Sequence, residues 1–154
     1  MPSIAAMDVR YFDEFAVGDR FKTEARTLGE AEMLAFANAY DPQPFHIDPA
    51  AARASIYGGL IASGFQTLAL GFRLVIDTGI FLGSSLGSPG FDEVRWLKPV
   101  RAGDTLRVEA EVVELRPSRS KPDRGILRVA YTYFNQRDET VLTVLAMHLL
   151  ARRG

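Results

Sequence analysis

Ser63-Gly64-Phe65-Gln66-Thr67-Leu68-Ala69-Leu70-Gly71-Phe72-Arg73-Leu74-Val75-Ile76 is apolar nearly all the way round when wound as a helix. A helix of that kind has to be covered on most of its sides. Ser63 and Gln66 stand at capping-box spacing, which predicts a start near Ser63. The downstream half of the chain can supply the cover. Phe91–Leu97, Thr105–Leu115, Gly125–Asn135 and Thr140–Ala151 all read as strands. Leu106, Val108, Ala110 and Val112 alternate with Arg107, Glu109 and Glu111, the pattern of a half-buried antiparallel strand. Val113 and Leu115 break that phase, which predicts a bulge. Thr140–Ala151 is apolar at almost every position, so both its faces are expected to be covered. One buried helix against a long antiparallel sheet is an α+β layout.

Upstream, a Val17-Gly18-Asp19 turn opens a short strand running to Arg26. Thr27-Leu28-Gly29-Glu30 reads as a capping box. The helix behind it places Met33, Phe36, Ala37 and Tyr40 on one buried face and stops near Tyr40, because Pro42 disfavours helical backbone at Asp41. Asp41-Pro42-Gln43-Pro44-Phe45-His46 has two prolines in six residues and is expected to be a stiff loop. Asp48-Pro49 is an N-cap with proline at the first helical position, leading a short helix through Ala54. Tyr57-Gly58-Gly59 is a turn, and Gly79 to Gly90 is expected to be loop.

A chain of 154 residues suits a single domain, here 1–154 with its core at about 12–150. The net charge of −1 gives no global basic field for nucleic acid. The absence of cysteine rules out disulfides and thiolate chemistry, and fits a reducing, cytoplasmic setting. Met1–Arg10 lacks the pattern of an export leader. Gly58–Ile76 is interrupted by Ser63, Gln66, Thr67 and Arg73 and is too polar to span a bilayer. With two distant histidines, no metal site is expected. No GxSxG, HExxH or Walker loop occurs, and no cofactor is expected.

Three groups of residues can carry chemistry. A carboxylate and an imidazole held close can position a water and move its proton, and Asp41 and His46 flank a proline-stiffened segment. Taken singly they read more simply as a helix end and a core residue. His148, inside the last apolar strand, and Asp48, before Pro49, read as structural. The second group is the helix start. With Ser63 capping Phe65 or Gln66, the Gly64 amide is left free to hold a developing oxyanion; tight packing is the other reason for glycine there. The third is cationic. Arg119, Lys121 and Arg124 lie in the loop Arg116–Arg124, and Arg95, Lys98 and Arg101 surround Pro99. Each set is either a solvated surface or a landing site for the phosphates of a large anionic carrier.

Asp41-Pro42-Gln43-Pro44-Phe45-His46-Ile47-Asp48 resembles the signature of MaoC-like dehydratases, the family of (R)-specific enoyl-CoA hydratases. Tyr57-Gly58-Gly59-Leu60-Ile61-Ala62-Ser63-Gly64-Phe65 looks like that family's glycine-rich approach to its central helix. Val94 to Leu106 resembles its strand-to-strand turn. The resemblance runs from about Phe12 to Leu150. It implies a single hotdog, an antiparallel sheet wrapped round a central helix. It further implies reversible addition of water to a trans-2-enoyl thioester, giving a (3R)-3-hydroxyacyl thioester. Asp41 and His46 would share the water and the Gly64 amide would hold the thioester oxygen. Ser63 and Phe65 would contact substrate, and the six basic residues would meet coenzyme A, which enters as part of the substrate. The partner implied is a further copy of the chain, as a homodimer or higher homo-oligomer, with no membrane. Two positions depart from the family. Gln43 stands where asparagine is usual, and Ser63 where histidine is often found, so no side-chain role carries over at 63. A hotdog acyl-CoA thioesterase, a non-catalytic acyl-thioester binding module and a structural subunit are the competing readings.

Overall fold

The computed structural model describes residues 7–154. The expectation about Met1–Arg10 therefore falls partly on residues outside those described. Seven antiparallel strands form one layer: β1 (Arg20–Lys22), β2 (Arg26–Thr27), β3 (Ser85–Gly87), β4 (Phe91–Trp96), β5 (Thr105–Pro117), β6 (Arg124–Phe134) and β7 (Thr140–Ala151). The order is β1-β5-β6-β7-β3, with β2 also on β5 and β4 also on β7. Among the described residues four α-helices accompany it, α1 (Glu30–Tyr40), α2 (Pro44–Ile47), α3 (Pro49–Arg53) and α4 (Gly64–Asp77), with one 3-10 turn at Phe12–Glu14. This is the hotdog arrangement, with α4 as the wrapped helix. No helix among the described residues is long and apolar enough to cross a membrane.

The sheet receives α4 along Gln66, Thr67, Leu70, Gly71, Leu74 and Val75, the buried positions of the helix. That spacing is one helical face. Gly71 permits the closest approach. A Cβ there would stand 2.1 Å from the ring of Tyr133. The Tyr133 hydroxyl donates to Leu68 O at 2.9 Å, tying sheet to helix, and burial pushes its phenol pKa up. The bulge is where the phase break put it: Val112 pairs with Val129 and Glu114 with Arg128, skipping Val113.

Several expectations need correcting. Thr27 does not cap α1. It belongs to β2, and its hydroxyl pairs with that of Thr105 at 2.7 Å; Gly29 is the N-cap. Tyr40 is 75% exposed, so the buried face of α1 is reduced to Met33 and Ala37. The strand ending at Arg26 is split into β1 and β2. Between them the Thr23 hydroxyl accepts from Val108 N at 2.9 Å, in place of a regular ladder bond. Gly79 to Gly90 is not all loop. It contains β3 and buries Ile80 and Phe81 completely or nearly so. Finally, β7 is buried on one face and only half-buried on the other, because no second layer covers the outer face of the sheet among the described residues. Its apolar outer positions, Leu145, Met147 and Leu149, are partly open. Likewise α4 is not covered all round: Phe65 is 62% and Ile76 39% exposed.

Candidate active site

Proline placement brings the carboxylate and the imidazole together. Pro42 ends α1, and Asp41 leaves helical geometry at φ −153°, ψ 63° while its amide still bonds to Ala37 O. Pro44 then starts α2, so the expected stiff loop shrinks to Asp41–Gln43 and His46 sits on a helical turn. His46 is 5% exposed. Its Nδ1 lies 2.8 Å from Ile61 O. A carbonyl only accepts, so Nδ1 carries the proton and Nε2 is the functional end. Nε2 stands 3.3 Å from Asp41 Oδ2.

Asp41 is held at both oxygens. Ser63 Oγ donates to Oδ2 at 2.7 Å, and Gln43 Nε2 donates to Oδ1 at 2.6 Å. Burial works to raise the carboxyl pKa, but the Gln43 and Ser63 hydrogen bonds and the His46 charge outweigh it and leave the group below its ordinary value. The ionised carboxylate is thus the resting form at neutral pH.

The Ser63 hydroxyl, being spent on Asp41, caps nothing, and the capping box with Gln66 is absent. Gln66 Nε2 donates instead to Glu32 O at 3.2 Å. The Ser63 carbonyl accepts from the amides of both Gln66 and Thr67. Neither Gly64 nor Phe65 has an amide partner among the described residues. Gly64 is also needed for packing. Trp96 Nε1 donates to Gly64 O at 2.8 Å, and a Cβ on Gly64 would lie 2.5 Å from that nitrogen. Phe65 meets Trp96 edge-on, with centroids 6.0 Å apart. A cavity of about 480 Å³ opens here, bounded by Asp41, His46, Gly64, Phe65, Thr67 and Trp96 and by Tyr57 and Leu97–Val100.

The basic residues do not share that cavity equally. Lys98 lines it and is ion-paired to Glu139. Arg101 lies beside it, where its guanidinium donates to Tyr57 O at 2.6 Å and pins the turn that walls the mouth. Arg95 pairs with Thr143, on the outer face of the sheet, while its neighbour Trp96 points to α4. Arg119, Lys121 and Arg124 sit at the β5–β6 hairpin. The cavity adjoins the other end of β5, so within one chain they are roughly 40 Å away along the strand. Asp48 accepts from the amides of Ala50 and Ala51 as an N-cap. Trp96 and Thr67 are not among the residues the sequence marks for the site. Gln43 is marked there only as a departure from the family's asparagine, and its bond to Asp41 gives it a role; Trp96 reaches Gly64 only through the tertiary fold.

The chain belongs to the MaoC-like dehydratase family: the model described as MaoC like domain matches residues 14–132. A MaoC-like dehydratase from Rhodospirillum rubrum superposes with a TM-score of 0.88 at 41% identity, covering 94% of this chain and 99% of that one. R-hydratase PhaJ1 from Pseudomonas aeruginosa, in its unliganded form, superposes with a TM-score of 0.74 at 28% identity, covering 94% and 86%. YdeM of Bacillus subtilis (strain 168), an uncharacterised protein, is 34% identical over 129 residues, 84% of this chain and 90% of its own length.

Proposed function

We propose that the protein is a hydro-lyase that reversibly adds water across the double bond of a trans-2-enoyl thioester, forming a (3R)-3-hydroxyacyl thioester. The observation that carries this is the Asp41 Oδ2–His46 Nε2 contact of 3.3 Å, set in the wall of a cavity with its carboxylate ionised. A water held between the two groups gives a proton to Asp41 as its oxygen attacks the β-carbon. The electrons of the double bond move toward the thioester carbonyl. The unpartnered amide of Gly64 is suited to hold that oxygen as charge develops. His46 is kept in one tautomer by Ile61 O and orients the water. The proton that Asp41 takes from the water crosses the short contact to the bare Nε2, which delivers it to the α-carbon and leaves the carboxylate and the neutral imidazole as they began. Ser63 acts through Asp41 and Phe65 borders the mouth. The carrier is coenzyme A, with Lys98 the basic residue best placed to meet it. The reaction needs no further cofactor.

The working unit we infer is a homodimer. Phe65, Ala69 and Ile76 form a second apolar stripe on α4 that is exposed in one chain, and among the described residues β4 pairs only with β7. A second copy would remove that surface from water. Light scattering should show dimers at micromolar concentration; a stable, active monomer would overturn this.

The reaction is tested by loss of the ultraviolet absorbance of the conjugated enoyl thioester, across acyl-CoA substrates varied in length and branching. Turnover of at least one, with a (3R)-hydroxy product, is expected. Binding without turnover of any would favour the acyl-thioester binding module instead.

A further inference from the structure

We propose that Thr67 makes this cavity selective for enoyl thioesters whose acyl group carries an oxygen substituent just beyond the β-carbon. The proposal rests on the hydratase reading of the site. Thr67 is 2% exposed, yet it lines the cavity and its hydroxyl has no hydrogen-bond partner among the described residues. A threonine inside a helix normally spends its hydroxyl on the carbonyl three or four residues back. Both outlets are taken here. The Ser63 carbonyl accepts from the amides of Gln66 and Thr67, and the Gly64 carbonyl accepts from the Trp96 indole. The hydroxyl is therefore left for whatever fills the cavity.

Its position says which part of the substrate that is. Ser63 reaches Asp41 from the first turn of α4. Thr67 lies one turn further along the same face, toward the core. One turn beyond that, the ring of Tyr133 against Gly71 and its hydroxyl on Leu68 O close the space between helix and sheet. An acyl group with its β-carbon at the Asp41–His46 pair thus brings its next atoms to Thr67 and has little room to continue. A plain alkyl group would cover the hydroxyl and leave it unsatisfied, a desolvation cost that a substrate oxygen avoids.

The test compares hydration of trans-2-butenoyl-CoA with that of its 4-hydroxy derivative by wild type, Thr67→Val and Thr67→Ser. Wild type should favour the hydroxylated substrate in kcat/KM by about tenfold. Thr67→Val keeps the shape, and because the hydroxyl makes no internal bond the melting temperature should hold. It should lower kcat/KM for the hydroxylated substrate and raise it for the plain one, while Thr67→Ser restores the wild-type order. A wild-type preference for the plain substrate, or equal losses on both in Thr67→Val, overturns the proposal alone. Hydration of neither thioester by wild type overturns it together with the hydratase reading. Should the valine variant not fold, calorimetry with wild type decides: 4-hydroxybutanoyl-CoA should bind more tightly than butanoyl-CoA, and equal affinities overturn the proposal.

Discussion

His46 and His148 are the chain's two histidines, and by burial they are the same residue: 5% and 3% exposed. Their surroundings differ. His46 spends Nδ1 on a backbone carbonyl and turns Nε2 to a carboxylate at a cavity wall. His148 turns Nε2 to the Tyr131 hydroxyl at 2.8 Å and stacks on Phe81 at 4.4 Å between centroids, inside the core. Burial holds the Tyr131 phenol protonated and the His148 ring neutral, so the contact is a hydrogen bond between two uncharged groups. Burial also pushes His148 down to about 4. A buried imidazole becomes a candidate for chemistry when its free nitrogen faces both a charge and a space for substrate; the second histidine has neither.

The comparison breaks most visibly in turnover. Asp41→Asn and His46→Gln should each lower kcat by about 10²–10⁴, the cost of removing a positioned acid–base group, with melting temperatures near wild type. Both residues serve one water, so the double variant should lose little more than the worse single. Near-wild-type turnover in either variant would take that residue out of the mechanism.

His148 should reverse the pattern, with stability changed and turnover per folded molecule kept. Its folded pKa of about 4 lies below the ordinary 6.5. Between those values the unfolded chain takes up a proton that the folded chain refuses. The neutral form's contribution is therefore whole above pH 6.5 and is lost as pH falls toward 4, by up to about 3 kcal/mol. Denaturant titrations from pH 7 to 4 should show that loss in wild type and a flatter profile in His148→Gln. Equal slopes would mean His148 is not the group that titrates.

Local pattern made much of this legible. The apolar run gives β7 its span of Thr140–Ala151, Pro42 ends α1 at Tyr40, and one break in alternation marks the bulge at Val113. These are properties of neighbouring residues. Side-chain hydrogen bonds with distant partners were not legible. Ser63 and Thr27 both sit where capping rules place them, but Ser63 found Asp41, 22 positions away, and Thr27 found Thr105, 78 away. Either partner satisfies a hydroxyl as well as a helix amide does, and only the fold determines which is near. Asp41 and His46 become a pair through resemblance to a family; taken singly they read more simply as a helix end and a core residue.

Gln43 sharpens the comparison from the carboxylate's side. It is exposed, so Gln43→Ala should leave stability alone. The variant loses a donor to the ionised form of Asp41, whose pKa then rises. The acid limb of the kcat/KM profile should move to higher pH. The plateau should fall by about threefold to tenfold, the size of one hydrogen bond. An unmoved acid limb would show that Ser63 and His46 suffice to hold Asp41.

The smallest effect belongs to the cations around the cavity. Lys98 is the one on its wall, but it is not a free charge. Its hydrogen bond, with those of Asn135 and Arg137, holds the Glu139 carboxyl down at about 2, so the lysine is partly neutralised throughout the working range. An exposed pair of this kind is worth little, and salt screens it. Lys98→Ala should therefore raise KM for an acyl-CoA by only about twofold to threefold at low salt, and the difference should vanish by about half-molar salt. Arg119→Ala and Arg124→Ala should leave KM unchanged if the chain serves only its own cavity, because the hairpin lies at the far end of β5. A KM rise in the hairpin variants larger than that in Lys98→Ala would mean that another chain brings its hairpin to the cavity mouth. The substrate's phosphates would then be held across an interface, with the carboxylate–imidazole chemistry inside one subunit and the carrier gripped by its partner.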